Sequence, residues 1–419
     1  MSKPRCGRYS IAVRELLARE EALFVKRTPA SRALFERASG VLAGGVASSF
    51  QALDPHPLYF TRGEGSRLWD VDGNEYLDFH NGFSAMVQGH AHPAITEAVA
   101  RRARDGTHFG ATTEDAVTVA EELRNRFRLD RWRFTNSGTE STMEAIRIAR
   151  AATGRDAIVV AEGVYHGHHD GVLPPGPGVP AQTSDLTVRV PFNAAVEMEN
   201  AMRETQPAAV LLEPLRTNAG LIPPAPGYLE EVRRSCTERG VILIFDEVKT
   251  GLTIAAGGAT ERFGVQPDMV ALAKALGAGL PSGAVGMTAE LGGRVASGAP
   301  PLMGTFNGNP LGMAAARASL EHVLTEAAYG RLEELGERMR AGVGEGVVAV
   351  GSKGCVQRGA PDAERSRLIW LWLANRGILT TARREQEWNV TVAHDEAAAD
   401  AYIETFAELS RRWSGSAPA

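Results

Sequence analysis

Four uninterrupted apolar runs, each five residues long and each closing on a charge, punctuate the middle of the chain. They are Ala157-Ile158-Val159-Val160-Ala161 before Glu162, Ala208-Ala209-Val210-Leu211-Leu212 before Glu213, Val241-Ile242-Leu243-Ile244-Phe245 before Asp246, and Met269-Val270-Ala271-Leu272-Ala273 before Lys274. Runs this short, bounded by polar turns, predict strands buried on both faces, as in a parallel sheet. A helix expected over 227–239 leads into the run ending at Asp246, and repeated strand–helix units of this kind imply right-handed crossovers. Gly283-Ala284-Val285-Gly286-Met287 is expected to return along the same sheet.

Outside this centre the period changes. Ile11, Leu16, Leu17, Leu23, Phe24, Leu34 and Phe35 recur at roughly helical spacing and are interrupted at Thr28-Pro29, predicting two helices. Alternation from Tyr59 to Phe79, with Asp72-Gly73-Asn74 as the tight turn, predicts a small antiparallel meander. Further helices are expected over 93–104, 113–127, 141–152, 311–324 and 367–375, and a short strand over 389–393. The Pro/Gly-rich stretch Gly171–Ser184 reads as a lid or a disordered segment. The chain divides into an N-terminal segment (1–80), a large α/β domain (81–315) and a smaller C-terminal α+β domain (316–419).

Composition narrows the class. With 419 residues, 44% hydrophobic and 23% charged, there is material for a large core. A net charge of −5 without a Lys/Arg block gives no footing for nucleic acid or an anionic membrane. No apolar run approaches the roughly 18 residues of a membrane span, and the N-terminus lacks the apolar core of a secretion signal, so the expected location is the cytoplasm. Cys6, Cys236 and Cys355 are few, scattered and odd in number, which suits a reducing compartment. His90 and His92 stand two apart with no acid or thiol ligand nearby, so the metal signal is weak.

The charges closing the apolar runs suggest chemistry. Asp246 and Lys274 would arrive at the carboxyl edge of one sheet, where open α/β sheets gather their ligands. An acid and an amine so placed are what pyridoxal phosphate requires: the carboxylate keeps the pyridine nitrogen protonated, and the lysine forms a Schiff base and moves protons. The turn Asn136-Ser137-Gly138-Thr139-Glu140 precedes a strongly helical stretch. The N–H groups of Gly138, Thr139 and Glu140, with the Ser137 and Thr139 hydroxyls, would face a phosphate at the positive end of the helix dipole. A plain capping box, Ser137-x-x-Glu140, uses the same residues. Tyr165, at the end of another strand, is a candidate for stacking on a flat ring.

Six motifs carry a resemblance: Asn136-Ser137-Gly138-Thr139-Glu140, Tyr165-His166-Gly167, Glu213-Pro214, Asp246-Glu247-Val248, Lys274, and Gly304-Thr305-Phe306-Asn307-Gly308-Asn309-Pro310. On them the chain resembles the class III aminotransferases among the fold-type I pyridoxal phosphate enzymes, in the branch of glutamate-1-semialdehyde aminomutase and the β-amino-acid aminotransferases. The resemblance implies a large domain with a mainly parallel seven-stranded sheet flanked by helices, and a smaller domain formed by both termini. It implies that Lys274 binds the cofactor and carries the proton, that Asp246 pairs with the ring nitrogen, and that Ser137, Gly138 and Thr139 hold the phosphate. Thr305 would reach the same phosphate from the second subunit of a homodimer. Tyr165, with His166 beside it, would cover one ring face, Val248 the other, and Glu213 would lie near the phenolic oxygen. The implied reaction moves an amino group from an amino donor to a keto acid. An intramolecular aminomutase is the alternative, and a protein that keeps the cofactor without catalysis is a more distant one.

The departures from this pattern concern substrate. Aminomutases of this branch carry an arginine soon after the Gly-Gly-Val turn, and that register here reads Gln51. The acid they place near the C-terminal strand reads Gln386, and Lys249 stands where a methionine is common. Arg216, Lys249, Arg383 and Arg384 are cations expected near the pocket. Arg216, just after a strand end, is the first candidate to clamp a carboxylate.

Overall fold

The computed structural model describes residues 11–218, 220–357, 363–382 and 386–414. The meander forms as expected from Phe60–Glu64 (β1), Arg67–Asp70 (β2) and Glu75–Asp78 (β3). Seven strands then build the central sheet: Arg131–Thr135 (β4), Ile158–Ala161 (β5), Thr187–Val190 (β6), Ala209–Leu212 (β7), Ile242–Asp246 (β8), Met269–Leu272 (β9) and Gly283–Met287 (β10). Their order is β4-β10-β9-β8-β7-β5-β6. β10 runs antiparallel to both β4 and β9, and all other pairs are parallel. β4 and β9 therefore point the same way, so every strand except β10 opens toward one edge.

Burial explains the apolar runs. Within β7, Val210 and Leu212 join the packing on one face of the sheet, while Ala209 and Leu211 join the other. Leu243 and Phe245 of β8 separate from Ile244 in the same way. A strand covered on both faces has no position left for a polar side chain until it ends, so its first charge marks the sheet edge.

Both termini contribute to the rest. Val347–Val350 (β11) and Lys353–Val356 (β12) pair as a hairpin, Ile378–Leu379 (β13) joins the meander parallel to β3, and Gln386–Asn389 (β14) pairs with β12. The helices Ile11–Arg27 and Pro29–Ala38 break at Thr28, where Pro29 cannot continue the first, and Phe24 of the first docks on Trp370 of the helix Ala363–Ala374. The strand expected over 389–393 is displaced: it lies at Gln386–Asn389. Beyond it the N–H groups of Val390 and Val392 turn to the carbonyls of Ser352 and Val87 rather than to a neighbouring strand. β6 was not anticipated, because Arg189 interrupts its apolar pattern at the sheet margin. Among the described residues no helix is long and apolar enough to cross a membrane, and no cluster of three or more His, Cys, Asp or Glu could hold a metal.

One buried acid anchors the turn after β8. Glu247 is 0% exposed, and its carboxylate accepts from Thr250 Oγ1 (2.6 Å), Ala259 N (2.7 Å), Thr260 N (2.7 Å) and Thr260 Oγ1 (2.8 Å). Burial pushes its pKa up, while these donors pull it back. Glu247→Ala leaves two backbone N–H groups without acceptors and is expected to destabilise the fold by about 4 kcal/mol, against about 2 kcal/mol for Glu247→Gln, whose one remaining oxygen still serves one of them. Equal melting temperatures for the two variants would contradict this account of the turn.

Candidate active site

The open edge of the sheet collects the expected residues. Asp246 closes β8, Lys274 lies two residues past β9, Tyr165 and His166 follow β5, and Ser137-Gly138-Thr139 follow β4. All of them line one cavity of about 420 Å³, within the usual span of small-molecule sites, roughly 300–1,000 Å³. Val248 and Lys249 line it too, as do Phe83, Asn136, Asn218 and Ser282, with Phe50, Thr381 and Glu387 coming from the terminal regions.

Asp246 is held from two sides. Its Oδ2 lies 2.7 Å from His166 Nδ1, and its Oδ1 accepts from Val248 N at 3.0 Å. An ionised carboxylate can only accept, so Nδ1 carries the imidazole proton. His166 is 4% exposed, and among the described residues its buried Nε2 has no hydrogen-bond partner. Lys274 adopts φ 49, a left-handed conformation uncommon outside glycine, on the short turn Lys274–Gly277. Its pKa is lowered to about 8, chiefly by burial and in lesser part by the charge of Lys249, with Asp246 and Glu213 opposing the shift. An amine so tuned is half neutral near pH 8 and able to attack an aldehyde.

The turn after β4 has the form of an anion cradle. Ser137 caps the helix Gly138–Thr153 by accepting from Glu140 N at 3.2 Å. Glu140 accepts from Asn136 N at 2.7 Å, one residue beyond the N-cap N–H that a full capping box would use. The first N–H groups of the helix, at Gly138 and Thr139, have no carbonyl one turn back within it. A Cβ on Gly138 would stand 2.8 Å from Val248 Cγ1, so only glycine lets the helix start come this close to the turn after β8.

The remaining expected contacts separate. Glu213 does not border the cavity: its oxygens accept from Tyr165 N (3.0 Å), Thr217 N (2.8 Å), Thr217 Oγ1 (2.8 Å) and Asn218 Nδ2 (2.6 Å). It fixes Tyr165 and Asn218, which do. Gln51 lies outside as well, its Oε1 accepting from Ser48 N at 3.2 Å. Arg216 is turned to Phe192, its guanidinium 5.9 Å from the ring centroid, and is not a wall residue. Lys249 is a wall residue, donating to Thr217 O (2.7 Å) and Glu387 Oε2 (3.1 Å). Gln386 is buried against Ser366, and the next residue, Glu387, presents the carboxylate instead. Arg383 and Arg384 lie outside the described residues. Thr305 is on an exposed loop that Asn136 Nδ2 holds to the phosphate turn through Asn307 Oδ1 at 2.9 Å, and Thr305 does not line this cavity. The stretch Gly171–Ser184 is tied to β6 through Thr187 Oγ1 and Gly171 O (2.7 Å) and borders no part of the cavity.

Asn218, Phe50, Phe83 and Glu387 were not singled out by sequence reasoning. Phe83 sits on a turn, Asn81–Ser84, whose four residues all have positive φ (50, 55, 58 and 72). Such strain persists only where the surroundings over-determine it. Here Asn81 N bonds Asp78 Oδ1 (2.9 Å), Asn81 Nδ2 bonds Asn389 O (2.6 Å), and Ser84 Oγ bonds Asn389 Oδ1 (2.6 Å). Lys353, 3% exposed and pushed well below the usual lysine range by burial, donates to Ser84 Oγ at 2.5 Å. His90, the weak metal candidate, is engaged with Asp78 at 2.7 Å.

A neutral-capable amine, a buried acid locked by an imidazole, and a helix start open to an anion, all on one cavity, fit pyridoxal phosphate; the Gly138 and Thr139 N–H groups, with no carbonyl one turn back in their helix, match its phosphate. The architecture is that of the fold-type I pyridoxal phosphate enzymes. The family model of class-III aminotransferases matches residues 50–345, and the chain belongs to that family. A glutamate-1-semialdehyde 2,1-aminomutase of Sorangium cellulosum is 45% identical over 352 residues, 79% of this chain and 80% of that protein. Among solved structures, an omega-transaminase from Sphaerobacter thermophilus superposes with a TM-score of 0.88 at 34% identity, covering 93% of this chain and 100% of that one. A glutamate-1-semialdehyde-aminomutase from Pseudomonas aeruginosa PAO1 in complex with PMP gives 0.89 at 28% identity, covering 96% and 98%. The chain is thus a pyridoxal-phosphate-dependent enzyme of this family.

Proposed function

We propose that the chain transfers an amino group from an amino acid or amine donor to a keto acid, as a cytoplasmic homodimer. The observation that carries this reading is the single cavity bounded by Lys274, Asp246 and the Ser137-Gly138-Thr139 turn. Pyridoxal phosphate, when bound, supplies an electron sink for the carbon next to the reacting amine. Lys274 holds the cofactor, yields its place to the donor amine and then carries the proton that leaves the donor carbon. Asp246, kept in place by His166, sustains positive charge on the ring nitrogen. Ser137, Gly138 and Thr139 bind the phosphate, joined by Thr305 of a second copy of the chain. Tyr165 and Val248 cover the two ring faces, and Glu213 acts on the phenolic side through Asn218.

The second reading is an intramolecular aminomutase, which the names of the curated relatives favour. Against it stand Gln51, which lies off the cavity at the arginine's register, and Gln386, buried at the acid's register. Both readings are tested with the cofactor-loaded protein alone. A half-reaction that stops after one equivalent of donor until 2-oxoglutarate or pyruvate is added supports transfer. Conversion of glutamate-1-semialdehyde to 5-aminolevulinate at sustained rate without any acceptor would overturn transfer in favour of rearrangement.

A further inference from the structure

β14 alternates as a strand must: Gln386 and Trp388 are buried, while Glu387 between them faces the cavity. Glu387 is steadied by its backbone N–H, which donates to Thr381 Oγ1 at 3.3 Å. Opposite it, Lys249 lies within the turn that Glu247 anchors. The two side chains are 15% and 10% exposed, and Lys249 Nζ lies 3.1 Å from Glu387 Oε2. An ammonium has three donors, and among the described residues Thr217 O and Glu387 use two, so one N–H is left for a ligand. Of the charged groups on this wall, Asp246 is committed to His166, and Lys274 to the cofactor. Among the described residues that leaves Lys249 as the cation and Glu387 as the anion. Much of the rest of the wall is apolar, with Phe50, Phe83, Tyr165, Leu280 and Pro281.

We propose that the Lys249–Glu387 pair selects the donor as an amino acid with one carboxylate and an otherwise apolar side chain. This rests on the amino-transfer reading above. A single carboxylate can take the third N–H of Lys249 while Glu387 keeps the ammonium charged and in place. Among the described residues a second carboxylate finds no further cation on this wall and meets the charge of Glu387, and a donor with none leaves that N–H unanswered. Lys249 is the specificity-determining residue, and Glu387 is a positioning residue that acts through it.

The test uses cofactor-loaded protein and unreactive ligands, so that it does not depend on turnover. Binding of 3-phenylpropanoate, phenylsuccinate and 3-phenylpropanol, with one, two and no carboxylates, is measured by calorimetry in the wild type, Lys249→Met, Lys249→Arg and Glu387→Gln, each first checked for its cofactor band. The wild type should prefer the monocarboxylate to the dicarboxylate by about tenfold or more. Lys249→Met should weaken the monocarboxylate by about 10–100-fold, the range of a hydrogen bond to a charged group, and leave the alcohol unchanged. Lys249→Arg should restore most of that loss, which a purely structural role would not allow. Glu387→Gln should narrow the gap between mono- and dicarboxylate. Full monocarboxylate affinity in a properly loaded Lys249→Met, or an unchanged gap in Glu387→Gln, overturns the proposal. A wild type that selects among the three ligands as expected but fails the half-reaction condemns the transfer reading and not the recognition pair.

Discussion

Lys274→Ala is expected to lower turnover by about ten-thousandfold or more and to remove the yellow colour that a lysine-bound cofactor confers, the upper end of what a positioned proton carrier and nucleophile contributes. The fold should survive, because the side chain opens on the cavity rather than into the packing. The depressed pKa adds a pH signature. Capture of pyridoxal phosphate by cofactor-free protein needs the neutral amine, so its rate should rise with pH and level off above about 8. The same shift bears on stability. The folded state binds fewer protons than the unfolded chain between pH 8 and the usual lysine value, roughly 10.4, so stability of the cofactor-free protein rises with pH across that window. The penalty is full below about pH 8. Lys274→Ala should flatten that rise, which a chemical-denaturation series at several pH values will show. A capture rate that climbs to pH 10 in the wild type would refute the electrostatic picture of the site.

Asp246→Asn is expected to reduce turnover by about a hundred- to a thousandfold, the size of losing one preorganised charge at a reacting centre. Asparagine keeps the shape and can still receive the Val248 N–H, so cofactor should stay bound and the loss should fall on kcat rather than KM. His166→Leu tests the support for that acid. It removes the 2.7 Å bond to Asp246 without touching the cavity charges, and a loss of about 10–100-fold is expected from a charge-assisted hydrogen bond. In the double variant the two effects should not add, since an asparagine has no charge left for the histidine to hold. Additive losses would mean that His166 serves something other than Asp246.

The central sheet was legible because a strand buried on both faces tolerates no polar residue before its end. Asp246 and Lys274 announce themselves as the first charges after Phe245 and Ala273. The phosphate turn was legible for a related reason: Ser137, Gly138 and Thr139 are local, and a helix start is set by residues within one turn of it. β6 was missed because Arg189 breaks its pattern, and β14 was misplaced because its neighbours in space, not its own alternation, decide where pairing stops.

The amino-acid order by itself determined the apolar inner strands of the central sheet, the edge at which they open, and the acid, amine and anion turn delivered there, since each follows from short-range periodicity or local capping. Only the tertiary structure decided which distant side chains complete the cavity. Arg216 turns to Phe192, Gln51 falls outside, and Glu387, 138 residues from Lys249, arrives to face it. Such meetings depend on how the terminal segments pack over the sheet, and the energy that sets that packing is spread over the whole core rather than written at the positions that meet.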